Sequence, residues 1–187
     1  SWTTGSNWSL GHAPTTSDDA VIPALTGAAV VTHSSTGTDN IHGLTLNGSL
    51  TISGGTLSIS STGTITGTLT IQSTGNFNVP SGSTIGVNGA TLNAAEAFGG
   101  GNFGITVGGI FNVSNTVFSH TSSYGTSALQ VSGGGRVTLN GSVFSWSSFS
   151  LANGAIVNSG DLSDTAFNCP INIPASSIPM LSAATGG

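Results

Sequence analysis

Residues 44–59 read LTLNGSLTISGGTLSI, and the fold turns on this run. Three apolar-polar-apolar triplets, Leu44-Thr45-Leu46, Leu50-Thr51-Ile52 and Leu57-Ser58-Ile59, are separated by Asn47-Gly48 and Gly54-Gly55. A period of two puts both apolar side chains of a triplet on one face and the hydroxyl on the other, which is the mark of a strand. The Gly and Asn between triplets supply the φ > 0 that tight corners need.

The same unit recurs outward from this run. Leu69-Thr70-Ile71, Phe77-Asn78-Val79 and Ile85-Gly86-Val87 follow it, with Ile65 between Thr64 and Thr66. Then come Ile105-Thr106-Val107, Phe111-Asn112-Val113, Leu129-Gln130-Val131, Val137-Thr138-Leu139, Phe149-Ser150-Leu151 and Ile156-Val157. Measured on the last apolar residue, the steps from Leu46 to Val87 are 6, 7, 6, 6, 8 and 8 residues, with Thr62-Gly63, Thr74-Gly75, Ser81-Gly82 and Asn88-Gly89 read as further corners. Such strands are too short for a sandwich. A strand-corner-strand rhythm of this length predicts an all-β chain, a single parallel β-helix (β-solenoid) with three sides and about 20 residues per coil. Roughly seven coils then stack at about 4.8 Å into a rod of about 35 Å. An antiparallel meander with Asn-Gly hairpins is the competing architecture.

Composition sets the surface. Gly, Ser, Thr and Asn number 29, 30, 26 and 15, together 100 of 187 residues, while only 4% of the chain is charged. Arg136 is the sole base, lysine is absent, and the acids are Asp18, Asp19, Asp39, Glu96, Asp161 and Asp164. A nucleic-acid partner is excluded, because nothing here neutralises a row of phosphates. Long helices are excluded by the scarcity of Glu, Lys, Arg and Gln. No run of 18 apolar residues exists, so no membrane span is expected. The single cysteine, Cys169, cannot form an internal disulfide and reads as a small buried hydrophobe. No secretion signal opens the chain at Ser1, so the expectation is a signal already removed.

Three regions break the rhythm and give the expected organisation: a cap over 1–23, the solenoid over 24–160, and an extended tail over 161–187 carrying Pro170, Pro174 and Pro179. A Gly-rich interruption, AAEAFGGGNFG, occupies 94–104. The cap contains Asn7-Trp8, then Gly11-His12-Ala13-Pro14, then Asp18-Asp19-Ala20-Val21-Ile22-Pro23. This order resembles the opening of extracellular β-solenoid surface proteins of Bacteroidetes and similar bacteria, and the start of G8-type domains. Residues 44–59 resemble the repeats that follow it there. The resemblance covers about residues 5–75 and implies an N-terminal cap and a secreted, cell-surface location. It implies no particular function, since adhesins, gliding-associated proteins and polysaccharide-active enzymes share the motif.

Candidate sites are few. Asp18 and Asp19 are adjacent, so on a strand they point to opposite faces, and one is expected to turn into a corner and cap backbone amides. Asp161 and Asp164 beside Asn158 offer only two carboxylates for a cation. His12, His33, His42 and His120 lack ligand spacing and read as exposed or corner residues. No metal and no cofactor are expected. A catalytic carboxylate pair or an anion-stabilising base has little to be built from, so the chain is read as not an enzyme. Outward threonines such as Thr64, Thr66, Thr68 and Thr70 form a possible ice-binding array, though Thr is also the ordinary outward choice on a strand. Asn7, Asn47, Asn112 and Asn140 head N-x-S/T triplets that could carry glycans.

A solenoid has two open ends, and such edges are commonly protected by charge, especially lysine. A chain without lysine is therefore expected to pair with copies of itself. The leading expectation is an extracellular structural protein, a self-assembling homo-polymer forming a filament or surface layer, joined head-to-tail through its terminal segments. Ile171, Ile173, Ile178 and Met180 of the tail and Trp2 and Trp8 of the cap are the candidate assembly residues. The alternative is a segment of a surface adhesin that binds glycans or cells. Outward aromatics would favour it, with Tyr124 and Trp146 as candidate glycan contacts and Phe118 and Phe144 beside them. Ice binding and polysaccharide-active enzymes stand behind these two.

Overall fold

The computed structural model describes residues 1–27, 29–72, 74–95, 102–121, 126–156, 164–169 and 171–172. All strand pairing among them is parallel, and the strands lie on three faces of a prism-like coil. One face, A, stacks β1 (Asp19–Ile22), β3 (Gly43–Leu46), β5 (Thr62–Ile65), β8 (Thr84–Asn88), β11 (Ile110–Ser114) and β14 (Arg136–Asn140). β2 (Val31–Ile41) and β4 (Ser49–Ile59) are longer and bend through a corner, so each contributes to both remaining faces. Face B continues from their first halves through β6 (Thr68–Ile71), β9 (Thr91–Ala94), β12 (Val117–His120), β15 (Val143–Phe144) and β17 (Ala166–Phe167). Face C continues from their second halves through β7 (Asn76–Val79), β10 (Asn102–Val107), β13 (Thr126–Val131), β16 (Ser148–Leu151) and β18 (Ile171–Asn172).

The three-sided solenoid expected from the triplets is therefore the fold, with six stacked strands on face A marking six coils. A seventh level begins at the Arg136–Ile156 bridge and continues as β17 and β18. Coil length follows the register on face A: 24 residues from Asp19 to Gly43, 19 from Leu44 to Gly63, 22 from Thr62 to Thr84, and 26 from Thr84 to Ile110.

Every inward position of the triplets falls in a vertical column. On face A, Ile22, Leu46, Ile65, Val87, Val113 and Leu139 lie over one another, and all are buried. On face C, Ile41, Ile59, Val79, Val107, Val131 and Leu151 do the same. Burying each such side chain contributes about 1.5–3 kcal/mol, so the columns are the main source of cohesion. Aliphatic side chains dominate the shaft, with Phe77 and Phe111 among them, and aromatic side chains cluster towards the C-terminal end. There Phe118, Phe144 and Phe167 stack at ring distances of 4.7 and 5.7 Å, and Trp146 donates its indole N–H to the carbonyls of Leu92 and Ser119.

One corner shows how composition becomes geometry. Gly89, Asn115 and Gly141 follow the ends of β8, β11 and β14, and all three take φ between 49° and 64°. Gly and Asn are the residues that adopt this region at least cost. Asn88 then accepts from Ser114 and Asn115, binding one coil to the next.

Several expectations are corrected. Thr62-Gly63 is no corner: it lies inside β5, where Gly63 sits inward between Leu44 and Ile85. A Cβ there would come 2.8 Å from Ile85 Cδ1, so the missing side chain makes room for the larger neighbour. The ladders also outrun the expected solenoid limits of 24 and 160. β1 belongs to face A because Ala20 and Ile22 continue the Leu44 and Leu46 columns, and β17 and β18 extend the stack past 161.

Candidate assembly surface

The first coil is built differently from the rest. By register His33 stands in the column of Ile52, and Asp39 in that of Leu57. Two positions that are aliphatic in the next coil are here titratable. His33 is fully buried, with Nε2 2.9 Å from Asp39 Oδ2 and Nδ1 3.1 Å from the carbonyl oxygen of Gly54. The expectation that all four histidines sit at the surface or at corners is thus corrected for His33. Strand periodicity turns it inward, and its two ring nitrogens find acceptors there.

A tryptophan lid covers this pair. Trp2 is buried, its ring edge-on to His33 at 5.6 Å and to Trp8 at 5.0 Å. The Trp2 backbone N–H donates to the carbonyl of Thr32 on β2, and the Trp8 indole N–H donates to the carbonyl of Trp2. Residues 1–8 therefore seal the core and pair with the outer edge of β2. Trp2 is held within the chain, and Trp8 is half-buried at the rim.

The outer edge of β1 is not sealed in this way. It is the end strand of face A, and no backbone group among the described residues pairs with its outer side. The carbonyls of Asp18 and Ile22 accept from the next coil, so by alternation Asp19 and Val21 direct their N–H and C=O to the open side. A cleft of about 410 Å³ adjoins this edge, lined by Trp8, Val21, Ile22, Leu25, Val30 and Val31 among others. A smaller one of about 230 Å³ lies between Trp8, Leu10, His12 and Val21.

Asp18, Asp19 and Asp39 gather at this end, each with a histidine nitrogen within 4 Å. His42 Nδ1 lies 2.7 Å from Asp19 Oδ1, and His12 Nδ1 lies 3.9 Å from Asp18 Oδ2. Asp18 accepts the hydroxyl and the backbone N–H of Thr15 at 2.6 and 2.8 Å, which is the capping role expected of one of the two acids. The Thr15 hydroxyl, then its N–H, and the nearby His12 hold the Asp18 carboxyl below the usual carboxylate range. No group of three or more His, Cys, Asp or Glu side chains among the described residues is placed to hold a metal ion.

Among the described residues the outward ladder positions are uncharged apart from Asp19 and Arg136 on face A. Thr51 lies beside Thr70 on face B and Thr45 beside Thr64 on face A, but the next outward residues are Asn93 and Ser119, and Gly86 and Asn112. Face C carries a shallow groove of about 380 Å³ bordered by Asn76, Thr106, Thr126, Gln130 and Ser148. No aromatic side chain among the described ones is exposed. Trp146, a candidate glycan contact, is turned inward and buried together with Phe118 and Phe144, because all three fall at inward positions of face B. Tyr124 lies outside the described residues.

Of the tail candidates, Ile171 is exposed and already pairs within its own chain, in register with Phe149 of β16. Ile173, Ile178, Met180 and Asp161 lie outside the described residues. Cys169 is half-buried against the core, and burial pushes its thiol up, partly offset by a hydrogen bond with the Phe149 backbone. No helix among the described residues is long and apolar enough to cross a membrane. The sequence contained the open edge only implicitly, since nothing in Asp19-Ala20-Val21-Ile22 distinguishes a first strand from a middle one. Comparison with protein-family models, with curated proteins and with solved structures finds no match to this chain.

Proposed function

We propose that the chain is an extracellular structural solenoid, a subunit of a filament or surface layer whose copies meet end to end through their terminal segments. One observation carries this reading. Nine large apolar side chains are exposed among the described residues, and six of them, Leu10, Val21, Leu25, Val30, Ile156 and Ile171, belong to the opening segment, the first coil or the last level of the rod. Apolar surface gathered at two ends of a rod whose described flanks carry few charges favours axial contact, and repeated head-to-tail contact does not close. The adhesin alternative has less support, because its aromatic contacts Phe118, Phe144 and Trp146 are internal.

The test is negative-stain electron microscopy and sedimentation of the full chain, beside Val21→Asp/Leu25→Asp at the end and Val143→Asp on face B. All three positions are exposed, so the fold tolerates the changes. Long polymers are expected from the unaltered chain and from Val143→Asp, and short rods from the double variant. Short rods from the unaltered chain at every concentration would contradict the proposal.

A further inference from the structure

We infer that the open edge of β1 is an acceptor for a donated strand, and that the donor is the stretch around Ile178-Pro179-Met180 of a second copy of this chain. The inference rests on the end-to-end reading and names the contact that makes it. The acceptor has the two parts that strand addition uses: free main-chain groups, here on Asp19 and Val21, and an adjoining apolar cleft for alternate side chains.

The donor follows from the hydrogen-bond parity of the solenoid. Inward residues turn their carbonyls towards the next coil: Ile22 accepts from Asn47, Leu46 from Thr66, Ile52 from Gln72 and Val79 from Gly108. A strand added beneath β1 in the same sense must place its inward residues, with their N–H groups, facing β1. Ile178 and Met180 are two apart, so they share both the inward face and that parity. Pro179, which has no N–H to donate, then falls on the free side, where an edge strand tolerates it. The two apolar side chains enter the 410 Å³ cleft beside Ile22 and Val31.

Reach decides between the chain's own tail and a neighbour's. β18 ends at Asn172, six inter-strand steps along face C from β2, or about 29 Å of rod. The six residues from Asn172 to Ile178 span at most about 20–22 Å when fully extended. Ile178 therefore cannot return to its own β1, and a copy stacked head-to-tail supplies the segment.

The experiment is disulfide trapping in the full chain with Cys169→Ser. Leu25→Cys in the cleft is combined with Ile178→Cys, and the control combines Ile178→Cys with Val143→Cys on face B. Under mild oxidation a ladder of covalent multimers in steps of one 18.3 kDa chain is expected for the first pair and none for the control. A fast-migrating monomer with an internal bridge, or equal ladders in both variants, would overturn the inference. Filaments that persist without a cleft-specific ladder would overturn the donated strand and leave the end-to-end reading standing. Loss of both would overturn both.

Discussion

The His33–Asp39 pair should behave as a unit whose halves cannot be removed separately. Asp39→Leu leaves the Nε2 of a fully buried imidazole facing an aliphatic side chain, at a cost of about 1–3 kcal/mol. His33→Ile strands a carboxylate that is one-third exposed and so partly hydrated, and it also removes the hydrogen bond at Gly54, for about 1–2 kcal/mol. The double change His33→Ile/Asp39→Leu instead continues the Ile52 and Leu57 columns, and replacing a buried pair by apolar residues of similar volume is often neutral or stabilising. At about 2–4 °C per kcal/mol for a domain of this size, Asp39→Leu should lose roughly 2–12 °C in Tm and His33→Ile roughly 2–8 °C. The double variant should return to within a few degrees of the parent. Thermal unfolding followed by circular dichroism measures all four corners of the cycle. If the double variant loses the sum of the single losses, His33 and Asp39 are not coupled core positions and the reasoning fails.

Other outcomes follow from single residues. Leu69→Ala, at a fully buried site between Leu50 and Leu92, should cost about 2–5 kcal/mol in denaturant unfolding, whereas Thr70→Ala beside it should stay within about 0.5 kcal/mol. Gly55→Ala should destabilise by about 1 kcal/mol or more, since φ is +63° there and a Cβ would press on the carbonyls of Gly37 and Ser35. Asp18 is lowered in the folded chain, so its contribution is present above the ordinary carboxylate range and is lost as pH falls through its folded value. Carboxyl NMR should show that Thr15→Val moves its titration upward; an unchanged midpoint would remove Thr15 as the cause. Cys169 should alkylate more slowly than a free thiol at pH 8, with its rate still climbing where a free cysteine has levelled off.

The solenoid was legible because a triplet is the smallest unit in which a period of two can be seen, and three triplets per turn repeat it. Legibility failed where an inward position was not aliphatic. On face B of the later coils the inward partners are Ala94 in β9 and Trp146 just after β15, so Leu92-Asn93-Ala94 and Val143-Phe144 did not stand out as strands. His33 read as a surface or corner residue because titratable residues usually are, and only the register with β4 places it, with Asp39 beside it, at an inward position. Trp146 read as an exposed aromatic for the converse reason: its polar N–H suggests a wet surface until two carbonyls are found to satisfy it. The open edge of β1 was not legible, since an open edge is a property of stacking order and not of composition.

Cryo-electron microscopy of assembled material tests the central claim most directly. End-to-end copies of a seven-level rod require strands perpendicular to the filament axis. The expected result is a meridional reflection near 4.8 Å and an axial rise per subunit of about 34–40 Å, the height of seven or eight strand layers. Sheets of rods packed side by side, or an axial rise shorter than one rod, would contradict end-to-end assembly.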